Sequence, residues 1–126
     1  MGQASILPVE DDALIPMLLV EMLGELGHKV IAEAGSVEAG RSLAEIEQYD
    51  LAILDINLQG SHVRPVAEVV RDRGLPFFLL SGYDARGVPD ELKGVPALSK
   101  PCTLETLRCT IDFVLSNAKI DEAHSE

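Results

Sequence analysis

Short apolar runs and longer amphipathic runs take turns along the chain, and this alternation limits the fold more than any other feature. Ser5-Ile-Leu-Pro-Val9 is apolar and stops at Glu10-Asp11-Asp12. From Ala13 to Leu26, Ile15, Leu18, Leu19, Met22 and Leu26 recur at helical spacing. Pro16 belongs in a first turn, so this helix starts near Asp12 or Ala13, and Gly27 supplies its stop. Lys29 to Glu33 reads as a second strand, and Ser36 as the N-cap of a helix reaching about Gln48. Leu51-Ala-Ile-Leu54 is apolar throughout, as a strand covered on both faces must be. After a turn at Gly60-Ser61, Val63, Val66, Ala67 and Val70 mark a third helix. Pro76 to Leu80 and Val95 to Ser99 read as fourth and fifth strands. Thr103 caps a last helix with the stripe Leu104, Leu107, Ile111, Val114 and Leu115, and the polar stretch from Asn117 is expected to fray. Gly82, Gly87, Pro89 and Gly94 interrupt the segment between the last two strands, so a helix there is short or irregular.

Strands alternating with helices demand a parallel sheet with helices on both faces. The expected class is therefore α/β: a doubly wound, five-stranded parallel sheet forming one domain over residues 1–119, followed by a polar tail over 120–126. A chain of 126 residues suffices for one such core.

Charge and cysteine usage narrow the functions. The net charge of −11 leaves no basic surplus to displace counterions from nucleic acid or to dock on anionic lipid. No apolar run approaches the roughly 20 residues of a membrane span, and no signal peptide is evident. Cys102 and Cys109 would stand about 10 Å apart on a helix, beyond disulfide reach. Both read as free thiols, and the expected location is cytoplasmic.

In an open parallel sheet, ligands gather outside the carboxyl ends of the strands. Those ends carry Glu10-Asp11, Asp55, Ser81 and Lys100-Pro101. Taken singly, each has a plain reading: Asp11 or Asp12 as a helix cap, Asp55 as a strand-end acceptor, Ser81 as a turn residue, Lys100 as a solvated cation. Together they place three carboxylates, a hydroxyl and an ammonium on one rim. Crowded carboxylates call for a cation, and a hard oxygen-seeking ion such as Mg²⁺ suits them. A lysine and a hydroxyl beside that ion suit a phosphoryl group, and a carboxylate can itself be the nucleophile that accepts one.

With those residues in place, the chain resembles the response-regulator receiver domains of two-component signalling over nearly its whole length. The resemblance rests on Ile6-Leu-Pro-Val-Glu-Asp11, Tyr49-Asp-Leu-Ala-Ile-Leu-Asp-Ile-Asn-Leu58, Leu80-Ser-Gly-Tyr83 and Leu98-Ser-Lys-Pro101. It implies a flavodoxin-like fold with sheet order 2-1-3-4-5. It implies Asp55 as phosphoacceptor, with Glu10, Asp11, Asp55 and the backbone carbonyl of Asn57 around Mg²⁺. Ser81 and Lys100 would then contact the phosphoryl group. The segment Pro76 to Tyr83 is similar in part to the "FAT GUY" subgroup served by HWE-type histidine kinases, with Leu79-Leu80-Ser81 replacing Phe-Ala-Thr.

Two departures stand out. Ala97 occupies the position, three residues before Lys100, where receivers of this kind carry an aromatic switch residue. The irregular segment Tyr83 to Gly94 is then expected to carry the response to phosphorylation. Pro8 falls inside a central strand, where a ladder donor is lost and the acidic pocket nearby is open to distortion.

The first helix has apolar residues beyond its core stripe, at Leu14, Met17, Val20 and Leu23, which serve either as a wide core or as a docking face for a kinase or phosphotransfer protein. Phe113 and Cys109 form a candidate face for weak homodimer formation. The expected function is a stand-alone, non-enzymatic phosphoreceiver fed by a histidine kinase or phosphotransfer protein. It would signal by protein contact or act as a phosphate sink. The alternative is a degenerate receiver that binds partners without phosphorylation. A metal-dependent hydrolase would need a second catalytic carboxylate where Asn57 stands.

Overall fold

The computed structural model describes residues 3–10, 14–58, 61–81, 95–99 and 103–124. Its elements are β1 (Ser5–Val9), α1 (Leu14–Glu25), β2 (Lys29–Val30), α2 (Val37–Ile46), β3 (Leu51–Asp55), β4 (Asn57–Leu58), β5 (Ser61–His62), α3 (Arg64–Asp72), β6 (Phe77–Ser81), β7 (Ala97–Ser99) and α4 (Leu104–His124). The main sheet runs β2-β1-β3-β6-β7, with every pairing parallel. Counting only its five strands, this is the expected order 2-1-3-4-5. The segment 82–94, where a fourth, irregular helix was expected, lies outside the described residues.

Alternation along the central strands sorts the core onto two faces. Leu7, Val9, Ala52, Leu54, Phe77 and Leu79 pack with Ala44 of α2 and with Val66, Ala67 and Val70 of α3. Ile6, Leu51, Ile53, Phe78 and Leu80 pack with Leu19 and Leu23 of α1 and with Leu107, Ile111 and Val114 of α4. All five residues of β3 are buried, which is why that run carries no polar residue until Asp55.

Helix ends follow local chemistry. The Ser36 side chain accepts from the Ala39 N–H at 3.1 Å, and Thr103 and Thr106 bond each other's backbone N–H, each at 3.1 Å. At the end of α1 the His28 N–H donates to the Leu23 carbonyl and the Gly27 N–H to the Gly24 carbonyl, with Gly27 at φ 88°. Gly74, at φ 72°, closes α3 by the same double bond from Leu75 to Val70 and from Gly74 to Arg71. Both turns need the left-handed backbone that glycine adopts without strain.

Several expectations are corrected. The buried stripe of α1 contains Leu19 and Leu23, with Met22 and Leu26 packed against the same core, whereas Leu18 is 39% exposed. Leu23 thus belongs to the core and Leu18 to the surface. Leu104 is 38% exposed, at a start of α4 where the neighbouring residues are exposed as well. Helix α4 continues to His124, past Asn117 where fraying was expected. Ala118, Lys119, Glu122 and Ala123 are good helix formers, and neither Gly nor Pro interrupts them.

The second strand is shorter than the predicted Lys29–Glu33, and Pro8 accounts for the place where it breaks. Ile6 pairs with Val30, but Val9 pairs with Ala34, so the register slips by one residue between them. The Ile31 N–H donates to the Ile6 carbonyl and the Ala34 N–H to the Pro8 carbonyl, each at 3.2 Å. The extra residue is a bulge opposite Pro8, where the ladder lacks its donor. The slip also keeps exposed Glu33 away from Val9 and puts Ala34 into the core beside it. Pro8 is therefore accommodated on the β2 side, and its pairing with Ile53 of β3 is regular.

Candidate functional site

The site lies where β1, β3 and β6 end. Val9 pairs with Leu54, so Glu10 and Asp55 close neighbouring strands one residue beyond that pair. Both carboxylates are almost fully buried, Glu10 at 4% and Asp55 at 2% exposure. The Glu10 N–H donates to the Ala34 carbonyl at 2.9 Å, which anchors the chain just past the bulge. Asp55 faces Leu80 in the β3–β6 register, and the Ile56 N–H donates to the Leu80 carbonyl at 3.1 Å. Ser81 is the next residue of β6 and pairs with Ser99, the last residue of β7.

Of the expected site residues, the fold thus brings Glu10, Asp55 and the Ser81 backbone to one rim. Asp11 and Lys100 lie outside the described residues, as do the Ser81 side chain, Cys102 and the segment Tyr83 to Gly94. Lys100 follows Ser99 directly in the chain. Ala97 is exposed on the edge strand β7, so no aromatic ring stands at the switch position. Cys109 is a free, exposed thiol.

Glu10 and Asp55 thus place two buried acidic side chains at adjacent strand ends. Their carboxylate oxygens are hard donors of the kind Mg²⁺ takes. The donor set therefore fits the cation. Among the described residues no cluster of three His, Cys, Asp or Glu is assembled.

Beyond Asp55 the chain forms a feature that the sequence reading missed. Asn57–Leu58 and Ser61–His62 pair as an antiparallel hairpin, separate from the main sheet. The expected turn at Gly60 lies outside the described residues, and two-residue strands are too short for any periodicity to reveal them.

No family model matches the chain. It is 30% identical over 115 residues to the transcriptional regulatory protein PdtaR of Mycobacterium tuberculosis, covering 88% of this chain and 56% of that protein, so it spans about half the length of that relative. The solution structure of SdrG from Sphingomonas melonis superposes with a TM-score of 0.79 at 31% identity, over 94% of this chain and 98% of that one. The REC domain of the response regulator PhyR from Erythrobacter litoralis gives a TM-score of 0.79 at 27% identity, over 91% and 92%. The sheet order, the buried strand-end acids and these likenesses agree: the chain belongs to the CheY-like receiver family of response regulators.

Proposed function

We propose that this protein accepts a phosphoryl group on Asp55 with the help of Mg²⁺ and passes the signal on by protein contact, or drains phosphate from its kinase. The observation that carries the reading is the burial of Asp55 at the end of β3 beside Glu10 at the end of β1. A nucleophile in that place is positioned by the sheet and shielded from bulk water.

In the proposed transfer, a carboxylate oxygen of Asp55 attacks the phosphorus of a phosphohistidine. The new O–P bond forms as the P–N bond breaks, and the leaving imidazole takes a proton. Mg²⁺, when bound, neutralises charge on the phosphoryl oxygens. Glu10 and Asp11 are proposed to hold the cation together with Asp55 and the Asn57 carbonyl. Ser81 would donate a hydrogen bond to the phosphoryl group and Lys100 would neutralise its charge. No turnover of an external substrate is proposed beyond self-phosphorylation and autodephosphorylation.

The proposed donor is a histidine kinase or phosphotransfer protein, inside the cytoplasm. Leu18 and Val20 on α1, 39% and 37% exposed, support that helix as the docking face. The partial Pro76–Tyr83 motif, with the likeness to SdrG and PhyR, supports a place near the FAT GUY subgroup and an HWE-type kinase. Phe113, 56% exposed on α4, supports the weak self-association face. Among the described residues no helix is long and apolar enough to cross a membrane.

The test is incubation with acetyl phosphate and Mg²⁺, followed by intact mass spectrometry. The reading expects an alkali-labile phosphoryl gain that disappears in Asp55→Asn. No gain, together with retained kinase binding, would favour the degenerate receiver.

A further inference from the structure

The hairpin after Asp55 does more than connect β3 to α3. Ile56 and Val63 at its root are buried, at 7% and 0% exposure, in the core shared with α2 and α3. The Val63 N–H donates to the Ile56 carbonyl at 3.1 Å, while the Ile56 N–H is committed to Leu80 of β6. The root is thus tied both to the sheet and to its own return strand. Beyond it, Asn57 pairs with His62 and Leu58 with Ser61.

Antiparallel ladders alternate between pairs that exchange hydrogen bonds and pairs that do not. Because Val63 and Ile56 are joined by a hydrogen bond, Asn57–His62 is the non-bonded pair and Leu58–Ser61 the bonded one. The N–H and carbonyl of Asn57 therefore turn away from the partner strand. The hairpin closes without consuming them, which leaves a main-chain oxygen two residues beyond a buried carboxylate.

We propose that this hairpin is a pre-formed mount that sets the divalent-cation affinity of the rim. Leu58 and Ser61 are its positioning residues, acting through their backbone hydrogen bonds. The inference rests on the Mg²⁺ reading above and adds the element that tunes it. A flexible connection would be ordered only on binding, at a cost in backbone entropy. A hairpin folded beforehand has already met that cost, so affinity depends on its integrity and not on the side chain at position 57.

Two measurements on the full chain test it. The first is amide hydrogen exchange in metal-free buffer, where the Leu58, Ser61 and Val63 amides are expected to be protected before any Mg²⁺ is added. Protection that appears only with Mg²⁺ overturns the proposal. The second is titration with MgCl₂ followed by amide chemical shifts. Ser61→Pro, which removes a ladder donor, is expected to weaken Mg²⁺ binding about tenfold with little change in thermal midpoint. Equal affinity in Ser61→Pro and wild type overturns the proposal, and if Ser61→Pro does not fold, the exchange experiment decides. A wild-type chain with no Mg²⁺ response would instead sink the underlying cation reading.

Discussion

At the amino ends of β3 and β6, Arg73, Tyr49 and Asp50 tie helix and strand ends together by hydrogen bonds; at the carboxyl ends, Glu10 and Asp55 bring two buried acids onto neighbouring strands. Arg73, the residue after α3, donates to the carbonyls of Ala44 and Glu47 at 2.6 and 2.7 Å and so caps the end of α2. Its guanidinium also lies 5.1 Å from the centre of the Tyr49 ring, while the Tyr49 hydroxyl donates to Ala44 at 2.7 Å. Asp50 accepts from the Ser5 N–H at 2.8 Å, and its own N–H donates to the Ser5 carbonyl at 2.7 Å. One end of the sheet is closed by internal hydrogen bonds. The other holds the two buried acids on which the proposed phosphoryl chemistry rests. The cross-chain hydrogen bonds and the proposed chemistry thus lie at opposite ends of the same strands.

Substitutions at the two ends should separate these roles. The largest effect is expected from Asp55→Asn, which should abolish phosphoryl acceptance while the isosteric side chain leaves the fold intact. Arg73→Met should do the reverse. Two carbonyls lose a charged donor, so stability should fall by about 2 kcal/mol in urea unfolding, with acceptance retained.

Tyr49→Phe should cost about 1 kcal/mol through the lost hydroxyl bond. Its pH dependence is also distinctive. Burial raises the Tyr49 pKa above the ordinary 10.0, partly offset by the Arg73 charge and hydrogen bond. The unfolded chain then releases this proton first as pH climbs. The stabilisation is full below about 10 and is lost as pH rises through the raised folded value. Stability of the wild type should fall over that alkaline window, and the Phe variant should lack this component. Smallest of all, Pro8→Val should change stability by under ~0.5 kcal/mol, because the ladder opposite it is already bulged by the Ile31–Ala34 pattern.

The sheet order and the placement of Glu10, Asp55 and Ser81 were legible because strands buried on both faces leave a strong mark: Leu51 to Leu54 is apolar without a break and ends at an acid. Features that depend on contact across the chain were not. Arg73 reads in sequence as an ordinary cation just past the end of a helix, and nothing local announces that it caps a different helix. The bulge opposite Pro8 arises from the meeting of two strands, and the choice between Leu18 and Leu23 on α1 depends on how that helix rotates onto the sheet. Both are decided by packing, which a helical or alternating period does not encode.

The central claim is that Asp55 carries the phosphoryl group. Borohydride reduction after treatment with acetyl phosphate and Mg²⁺ tests it most directly, because an acyl phosphate is reduced to an alcohol at the residue that bore it. Peptide mass spectrometry should then find homoserine at position 55 and nowhere else. Reduction at another acidic residue, or none in a folded chain that binds Mg²⁺, would contradict the account.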